Sequence, residues 1–447
     1  MITKRIKQFR KYIKDTCKIG VFLAGFRDSR LNPDYSSQVM GLAFLTGFIT
    51  RTTSTRHLER RLKKPGWRRF IGLPATSRLN QRARGAPVEG TLRYSLPRFE
   101  TATLRAAMVG SVKQMHRSKM ISCQTLGGLK FVSIDGTQQL STKHFSCDGC
   151  IEHKSYSKDS EGNTIVKIWY DHKVVTIRQL GDRLSPWLGF ISQKSSTERG
   201  SYEGEQPAAI RALEQIVEDY GKERFDGVVV DALHVNGPFL RKCEELGLQC
   251  VLVAKDNASS LRQSFESKKL PAPIVSRKRV KEGYVDVIIW EQKDICLTTC
   301  DIKLRILKIK QVVKTVEGKL VRAEIRWLAT TIPQKVMGAR NIWWVGWRRW
   351  EIENGGHRSL KREHHAMHVF CHKNKVAVEN LLWLQMWGQN LLEAFIYRRL
   401  NSGRFGVFID ERFGSVKGGL CSVVEDLVVG LVTNKIKVYW GEFTSRC

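Results

Sequence analysis

Two apolar runs that each end on an aspartate decide the fold: Phe131-Val132-Ser133-Ile134-Asp135 and Gly227-Val228-Val229-Val230-Asp231. Short runs rich in β-branched residues predict buried strands. Helical patterns at 206–220 and 237–245 flank the second run, and Val251-Leu252-Val253 follows them. This alternation predicts an α/β fold, in which helices pack on the faces of a sheet.

Outside these strands the sequence divides into regions of different character. Residues 1–125 carry mostly helical patterns, whereas residues 126–256 and 325–400 have the pattern of an α/β core. Residues 257–324 are strand-like without a long helical period, which predicts a β-rich insertion. Residues 401–447 form a C-terminal tail that is rich in glycine and contains short apolar runs.

The chain is strongly basic. It contains 75 Lys and Arg residues against 43 Asp and Glu residues, a formal net charge of +32. Residues 1–120 contain 26 Lys and Arg and 6 Asp and Glu, so well over half of the excess lies in the first quarter. Such an excess repels itself unless a polyanion lies against it. The expected partner is nucleic acid or an anionic membrane.

The basic first quarter contains a segment typical of a small helix-turn-helix unit. A polar cap at 53–55 precedes a short helix, a turn follows at Pro65-Gly66, and Ser77-Arg78-Leu79 continues the pattern. Basic side chains in such units contact DNA phosphates. A solvated helical face is the alternative, but the net positive charge favours double-stranded DNA as the partner. The candidate contact residues are Arg56, Arg60, Arg68 and Arg69.

No membrane or secretion segment is expected. The longest apolar stretch near the N-terminus, 39–49, has eleven residues, whereas a membrane-spanning helix needs roughly 20. The first ten residues lack an apolar segment with a cleavage site. We expect a cytoplasmic, nucleoid-associated protein with no membrane partner. The 11 cysteines are scattered and odd in number, so we expect reduced thiols and no disulfides.

The aspartates at the two strand ends are candidate metal ligands. In open α/β sheets, functional groups cluster at the carboxyl ends of neighbouring strands, so Asp135 and Asp231 are expected to converge. Mg²⁺ prefers hard oxygen ligands and takes only one or two protein carboxylates. A third carboxylate is expected in Arg349-Trp350-Glu351-Ile352-Glu353-Asn354.

The ordered set of these motifs resembles the DDE transposases of bacterial insertion sequences. It is most similar to their group with a Tyr-Arg-Glu-Lys signature, and the resemblance covers about residues 130 to 400. The matching segments are Asp135-Gly136-Thr137, 231–239, 349–354 and Leu360-Lys361, with Val253-Ala254-Lys255 and 364–370 as further matches.

The resemblance implies a ribonuclease-H-like core, a β-rich insertion and a helical N-terminal region that binds transposon ends. It implies that Asp135, Asp231 and Glu353 are catalytic and hold two Mg²⁺ or Mn²⁺ ions, and that Arg349 and Lys361 hold DNA phosphates. The implied enzyme binds insertion-sequence ends, cleaves DNA and joins the 3′-hydroxyl ends to target DNA. It would work as a homodimer or a larger synaptic assembly.

Two positions depart from the family's pattern. Gly346 occupies the place of the signature Tyr, with Trp347 beside it, and Lys361 follows Glu353 by eight positions where seven is usual. Glu351 is a second candidate for the third acid, but on a helix it would point roughly 200° away from Glu353. Glu353 is preferred because it lies four residues after Arg349, on the same helical face.

A run of histidines and cysteines forms a second candidate site: His144, Cys147, Cys150 and His153, with His172 further along the chain. These ligand types suit tetrahedral Zn²⁺. Four ligands within one short loop would strain to surround one ion, since structural zinc sites usually draw ligands from two separated segments. Two hypotheses follow: the four residues His144, Cys147, Cys150 and His153 bind zinc, or the cysteines are reduced thiols packed in the protein.

Several tryptophans lie at near-helical spacing beside the third acid: Trp343, Trp344, Trp347 and Trp350. Aromatic faces can stack on unpaired bases. Aromatic residues at this spacing are more often part of a core, so core packing is the prediction.

Two other functions fit the same residues. The chain could be a non-catalytic DNA-binding protein derived from a transposase, although all three acids are present in order. It could also be a metal-dependent nuclease of the same core that cuts DNA without joining strands. A strand-transfer assay on donor DNA would separate the nuclease from the transposase.

The charge distribution predicts that DNA binding depends on residues 1–120 and on salt. Removing this segment should abolish specific end binding. In the whole protein, binding should weaken steeply with salt because each neutralised phosphate releases a counterion, with a loss of about 10³-fold or more between 50 and 200 mM salt. Fluorescence anisotropy of labelled duplexes measures both effects, and affinity that does not change with salt would contradict the prediction.

Overall fold

The structure, a computed structural model, describes residues 2–73, 85–121, 126–181, 184–195, 202–234, 236–254, 259–267, 269–280, 283–297, 300–366, 368–371, 373–400, 409–410, 415–416 and 419–433. A large mixed sheet lies between helices that precede it, interrupt it and follow it. The prediction of an α/β fold is therefore confirmed.

The described residues before Leu126 form helices. They are α1 (Ile2–Lys11), α2 (Ile19–Ala24), α3 (Ser37–Ile49), α4 (Thr55–Leu62), α5 (Pro65–Phe70), α6 (Glu89–Ser95) and α7 (Thr101–Arg117). A short π-helical turn, Tyr12–Thr16, extends α1, and a 3-10 turn, Leu96–Arg98, extends α6.

Local sequence accounts for the start of α4 and α5. The hydroxyl of Ser54 accepts a hydrogen bond from the amide of His57 at 3.1 Å, so the predicted polar cap is confirmed. The turn predicted at Pro65-Gly66 is wrong, because Pro65 is the first residue of α5. Proline fits there because its missing N–H would have no helical partner at that position. The segment Ser77-Arg78-Leu79 lies outside the described residues.

The strands follow the helical region. The first set is β1 (Phe131–Thr142), β2 (Ile151–Lys158), β3 (Thr164–Gln179), β4 (Trp187–Ser192), β5 (Gly227–Asp231) and β6 (Gln249–Ala254), with helices α8 (Glu205–Tyr220), α9 (Gly237–Glu245) and α10 (Ser259–Glu266) between and after them. The second set is β7 (Ile274–Val280), β8 (Gly283–Leu297), β9 (Cys300–Lys314) and β10 (Leu320–Thr330).

The ten strands form one sheet in the order β2-β3-β1-β5-β6-β10-β9-β8-β7, with β4 also paired to β3. The pairs β1–β5 and β5–β6 are parallel, and the remaining pairs are antiparallel. The parallel strands lie at the middle of the sheet, where both faces are covered, as their continuous apolar runs require.

The register between β1 and β5 places Asp135 and Asp231 at the same level. Phe131 pairs with Gly227 and Ser133 pairs with Val229, a constant offset of 96 positions. The same offset continues from Asp135 to Asp231. Asp231 is the last residue of β5, but β1 continues to Thr142, so Asp135 lies within its strand and the strand end predicted there is wrong.

The strand-like stretch 257–324 contains α10, β7, β8 and β9 and leads into β10. Its strands do not form a separate sheet. Strand β10 pairs with β6 over Trp327–Thr330 and with β9 over almost its whole length, so the long β8–β9 hairpin extends the central sheet.

The chain returns to helices after β10. These are α11 (Ala339–Arg348), a π-helix (Ile352–Glu363), α12 (Lys375–Phe395) with a π-helical extension (Ile396–Leu400), and α13 (Gly419–Thr433). A two-stranded ribbon pairs Ile409–Asp410 with Ser415–Val416. Helix α13 forms part of the tail in which the sequence indicated only short apolar runs.

Helix α12 is buried along almost all of its length and joins the N-terminal helices to the sheet. On one side the Phe395 ring packs edge-on against Phe9 of α1, with centroids 5.1 Å apart. On the other side Asn390 exchanges two 2.9 Å hydrogen bonds with the backbone of Trp187 in β4. Because the basic helices share this core, deleting residues 1–120 would expose α12 and would not test DNA binding cleanly.

Among the described helices, none combines the length and apolar character that a membrane crossing would need.

The shared core predicts that one substitution in α12 destabilises the whole protein. Phe395→Ala removes a fully buried ring that packs on Phe9 and Tyr12, so the free energy of unfolding should fall by about 3 to 5 kcal/mol. Urea unfolding followed by circular dichroism measures the change. Val21→Ala, at a side chain that is 67% exposed, is the control and should change it by less than about 0.5 kcal/mol.

Candidate active site

The site begins with Asp231, the last residue of β5, and with Asp135, which lies level with it within β1. The Asp135 side chain is 15% exposed, and Asp231 is half-buried with Oδ1 accepting the amide of Leu233 at 2.9 Å. The electrostatic influence of Asp231 reaches Asp135 and opposes its ionisation. The two carboxylates therefore face a common space, as predicted from the strand ends.

Glu353 is brought to the aspartates by a buried arginine. The Arg349 guanidinium donates to Glu353 Oε1 at 2.6 Å, and its other terminal nitrogen lies 3.9 Å from Asp135 Oδ1. Only 2% of the Arg349 side chain is exposed, whereas the Glu353 side chain is 36% exposed at the mouth of the site. The pair lies four residues apart, so one helical face carries both groups.

The electrostatics of the site concentrate on Asp135. Burial raises the pKa of Asp135 to about 7; Arg349 opposes this rise, and the nearby carboxylates of Glu353, Glu205 and Asp231 add to it. Each of these negative groups disfavours a further negative charge at short range. The site therefore holds more carboxylate than its arginine neutralises, which is the condition that favours a bound cation.

Glu353 and Lys361 both lie in the π-helix. Because a π-helical turn takes more residues than an α-helical turn, a spacing of seven on an α-helix does not transfer position by position to this segment. The Lys361 ammonium donates to the Thr137 hydroxyl at 2.7 Å, two residues beyond Asp135 on β1. Burial lowers the pKa of Lys361. A spacing of eight positions from Glu353 is thus compatible with Lys361 lying at the acidic site.

His357 lies between Glu353 and Lys361 and was not predicted from the sequence. Its Nε2 is 2.7 Å from the Thr176 hydroxyl, which donates to the backbone carbonyl of Asp135 at 3.1 Å. Its Nδ1 is 3.7 Å from Asp135 Oδ2. Burial, with the nearby cations Lys361, Arg178 and Arg349, lowers the pKa of His357 to about 3. The imidazole is therefore neutral and fixes the backbone that carries Asp135.

Glu205 is a second group that sequence reasoning missed. Its Oε1 accepts the Gly136 amide at 3.1 Å and lies 3.5 Å from His234 Nε2. A Cβ on residue 136 would lie 2.3 Å from the Glu205 carboxylate, so only glycine leaves room for it. Although burial opposes its ionisation, His234 and the Gly136 amide hold the pKa of Glu205 below its usual range. The available signal was an acid in the first turn of α8.

Glu351 faces away from the aspartates. It forms an ion pair with Arg348, and its backbone carbonyl accepts Arg178 at 3.2 Å. Burial raises the pKa of Glu351, and the two arginines oppose this rise. Of the two candidate glutamates, Glu353 is the one whose charge acts on Asp135.

The predicted DNA-contacting residues have different environments. Arg349 was expected to hold a phosphate; its guanidinium is buried against Glu353 and Asp135. Arg68 is only 7% exposed. Arg56 is 70% exposed beside Glu89, Arg60 is exposed, and Arg69 is half-buried.

The core prediction for the tryptophans is wrong for three of the four. Trp344, Trp347 and Trp350 are 41%, 38% and 42% exposed, and the rings of Trp344 and Trp347 stack at 5.4 Å. Trp343 alone packs against the core. Gly346 lies against Leu328, where a Cβ would approach within 2.8 Å. An aromatic residue therefore has no room at position 346, whereas Trp347 lies on the solvent-exposed side of the helix.

The cysteine-rich segment brings together a ligand set different from the predicted one. Cys147, Cys150 and His172 have ligand atoms within 4.8 Å of one another, and they are the one such group of His, Cys, Asp and Glu in the described chain. His153 pairs with Asp171 instead, at 3.0 Å. His144 is also not part of this group. The three acids of the site converge more loosely than these residues.

Comparison with known protein families finds no family model that matches the chain, and comparison with curated proteins finds no match either. The functional assignment therefore depends on the residues and geometry described above.

Proposed function

We propose that the chain is a DDE transposase that binds insertion-sequence ends, cleaves DNA and joins the freed 3′-hydroxyl ends to target DNA. One observation carries this proposal: Asp135 and Asp231 lie level on adjacent parallel strands, and Arg349 brings Glu353 against them. The order and spacing of the three motifs agree with the resemblance found in the sequence. The basic composition supports a DNA substrate.

A ribonuclease-H-like core is the finer fold that we propose for the part of the sheet formed by β4, β3, β1, β5 and β6. Three observations support it. The acids lie on adjacent parallel strands, the antiparallel strand β3 flanks β1, and a helix delivers the third acid from outside the sheet. In this description the strands of 257–324 are an insertion that extends the sheet from β10.

The acids suit two Mg²⁺ or Mn²⁺ ions held by Asp135, Asp231 and Glu353. All three offer hard oxygen ligands, and burial, to which the nearby carboxylates add, raises the pKa of Asp135. The three carboxylates converge less closely than the ligands of a single ion would, which suits a pair of ions about 4 Å apart. When bound, such ions activate the attacking water or 3′-hydroxyl and stabilise the leaving oxygen.

The remaining residues have positioning and DNA-contacting roles in this proposal. Arg349 holds Glu353 toward Asp135, and Glu205 fixes the backbone at Gly136. Lys361 lies at Thr137, where a small movement of its flexible side chain would reach a phosphate oxygen. The exposed Trp344 and Trp347 offer flat faces for unpaired bases beside the acids. Arg56 and Arg60 offer positive charge on α4.

A nuclease of the same core and a non-catalytic DNA-binding protein are the two other functions. Donor DNA with labelled terminal repeats, supplied with target DNA and Mg²⁺, separates the three. Joined products support the transposase. Nicked donor without joined product indicates the nuclease, and bound but uncut donor under all metal conditions indicates the binding protein.

The first prediction of this proposal concerns the choice between two glutamates. Glu353→Gln should keep end binding but lower Mg²⁺-dependent nicking by more than about 100-fold, because it removes a metal ligand without changing side-chain size. Asp135→Asn and Asp231→Asn should do the same. Nicking of labelled terminal-repeat DNA in Mg²⁺ or Mn²⁺ measures the effect.

Glu351→Gln is the matched control, since it makes the same chemical change two residues away on the face that contacts Arg348. It should retain most of the nicking activity. An active Glu353→Gln together with an inactive Glu351→Gln would reverse the assignment of the third acid.

A second prediction follows from the raised pKa of Asp135. Below its ordinary pKa of 3.8 the carboxyl is protonated in both the folded and unfolded chain. As the pH rises from there through about 7, the unfolded chain releases this proton more readily, so the free energy of unfolding falls. Asp135→Asn should therefore be the more stable protein at pH 8, by about 1 to 3 kcal/mol. The difference should vanish near pH 3.

Thermal unfolding over this pH range, with and without Mg²⁺, measures the difference. Mg²⁺ should stabilise the unsubstituted protein at pH 8 and should stabilise Asp135→Asn much less, because the ion relieves the same repulsion that the substitution removes. Equal stabilisation of the two proteins by Mg²⁺ would contradict a metal site at Asp135.

A further inference from the structure

Cys147, Cys150 and His172 lie outside the acidic site and have the geometry of a metal centre. The two Sγ atoms are 3.7 Å apart, and His172 Nε2 is 3.2 Å from Cys147 Sγ and 3.3 Å from Cys150 Sγ. In tetrahedral zinc, bond lengths of about 2.3 Å to sulfur and about 2.0 Å to nitrogen require edges of about 3.8 Å and about 3.5 Å. The observed triangle needs shifts of only a few tenths of an ångström.

The backbone around the cysteines is shaped to present both sulfur atoms. In the turn Cys147-Asp148-Gly149-Cys150, the Cys150 amide donates to the Cys147 carbonyl at 2.9 Å. The Cys147 amide donates to Cys150 Sγ at 3.2 Å, and such N–H donors stabilise negative charge on sulfur. The Ser195 hydroxyl, from another segment of the chain, donates to the Asp148 carbonyl at 2.6 Å and so fixes the turn.

His172 reaches the turn from a separate part of the chain. It lies on β3, where its backbone is opposite Leu140 of β1 and just beyond an irregularity in the register between Gln138 and Leu140. His172 is 6% exposed and Cys150 is 8% exposed, so both ligands are largely shielded from water. Because its ligands come from two segments, this site avoids the strain expected when one short loop supplies four ligands.

The other histidines of the sequence run are engaged elsewhere or lie apart. The His153 ring stacks on Trp169 with centroids 5.3 Å apart, and its Nε2 is 3.0 Å from Asp171. The His144 amide donates to the Thr142 hydroxyl at 3.2 Å, where the loop leaves β1. Neither imidazole belongs to the group of converging ligand atoms.

We propose that Cys147, Cys150 and His172 bind one structural Zn²⁺ ion that fastens the 143–150 loop to β3. A water molecule would complete the tetrahedron. Because β3 also pairs with β1 at Asp135 and Thr176, the ion braces the hairpin that carries the first acid. This proposal does not depend on the function proposed above.

The full-length protein, purified without chelator, tests the proposal directly. Elemental analysis should give about one zinc per chain. After removal of the metal under reducing conditions, Co²⁺ should restore a stoichiometric complex with the intense visible bands of tetrahedral cobalt and a thiolate charge-transfer band. A protein with both thiols reduced that binds neither Zn²⁺ nor Co²⁺ would overturn the proposal, as would a Cys147–Cys150 disulfide in freshly purified protein.

Substitutions identify the ligand set. His172→Asn should weaken Co²⁺ binding by about 100-fold or more, whereas His153→Asn is the matched control and should bind Co²⁺ as the unsubstituted protein does. Cys371→Ser controls for the loss of a thiol outside the cluster. Retained binding in His172→Asn combined with loss in His153→Asn would overturn the assignment. If His172→Asn does not fold, the cobalt spectrum of the unsubstituted protein still decides whether cysteine thiolates bind the ion.

Discussion

The buried guanidinium of Arg349 is the interaction on which the arrangement of the acids depends. A guanidinium cannot lose its charge in a protein, and one that is only 2% exposed must find carboxylates to replace the lost water. Glu353 and Asp135 supply them, one from the π-helix and one from β1. The arginine therefore couples the position of the helix to the sheet and holds Glu353 near Asp135.

The same constraint explains the surroundings of Asp135. Burial and the nearby carboxylates keep the pKa of Asp135 raised, although Arg349 opposes this rise. Two uncharged groups support the surrounding backbone. His357 contacts Thr176 and thereby supports the Asp135 backbone, and the Gly136 amide binds Glu205. Adding another permanent cation there would satisfy the acids and reduce the affinity for a metal ion.

Local patterns in the sequence predicted the end of β5 at Asp231 and the contact between Arg349 and Glu353, because a spacing of four residues places both on one helical face. The apolar run before Asp135 also predicted a strand end, but β1 continues to Thr142 through its pairing with β3. These predictions depend only on chain periodicity. The β-strand and helix segments around them were predicted for the same reason.

Long-range packing could not be predicted in this way. The pairing of His172 with the cysteine turn depends on the irregular register of β1 and β3, and the contact of Glu205 with Gly136 depends on the packing of α8 against β1. The tryptophan spacing indicated one helical face but not whether that face would be covered. Similarly, charge counting identified a basic region but gave no sign that its helices share a core with α12.

The order of the strands also bears on how molecules of this protein meet one another in solution. Strand β7 is at one end of the sheet and β2 is at the other. The sequence of β7 contains Arg277, Lys278 and Arg279 in succession, and β2 carries Lys154 and Lys158. Positive charge on border strands repels a second sheet before backbone pairing can begin. Positive charge at both edges of the sheet therefore disfavours edge-to-edge pairing between molecules at high protein concentration.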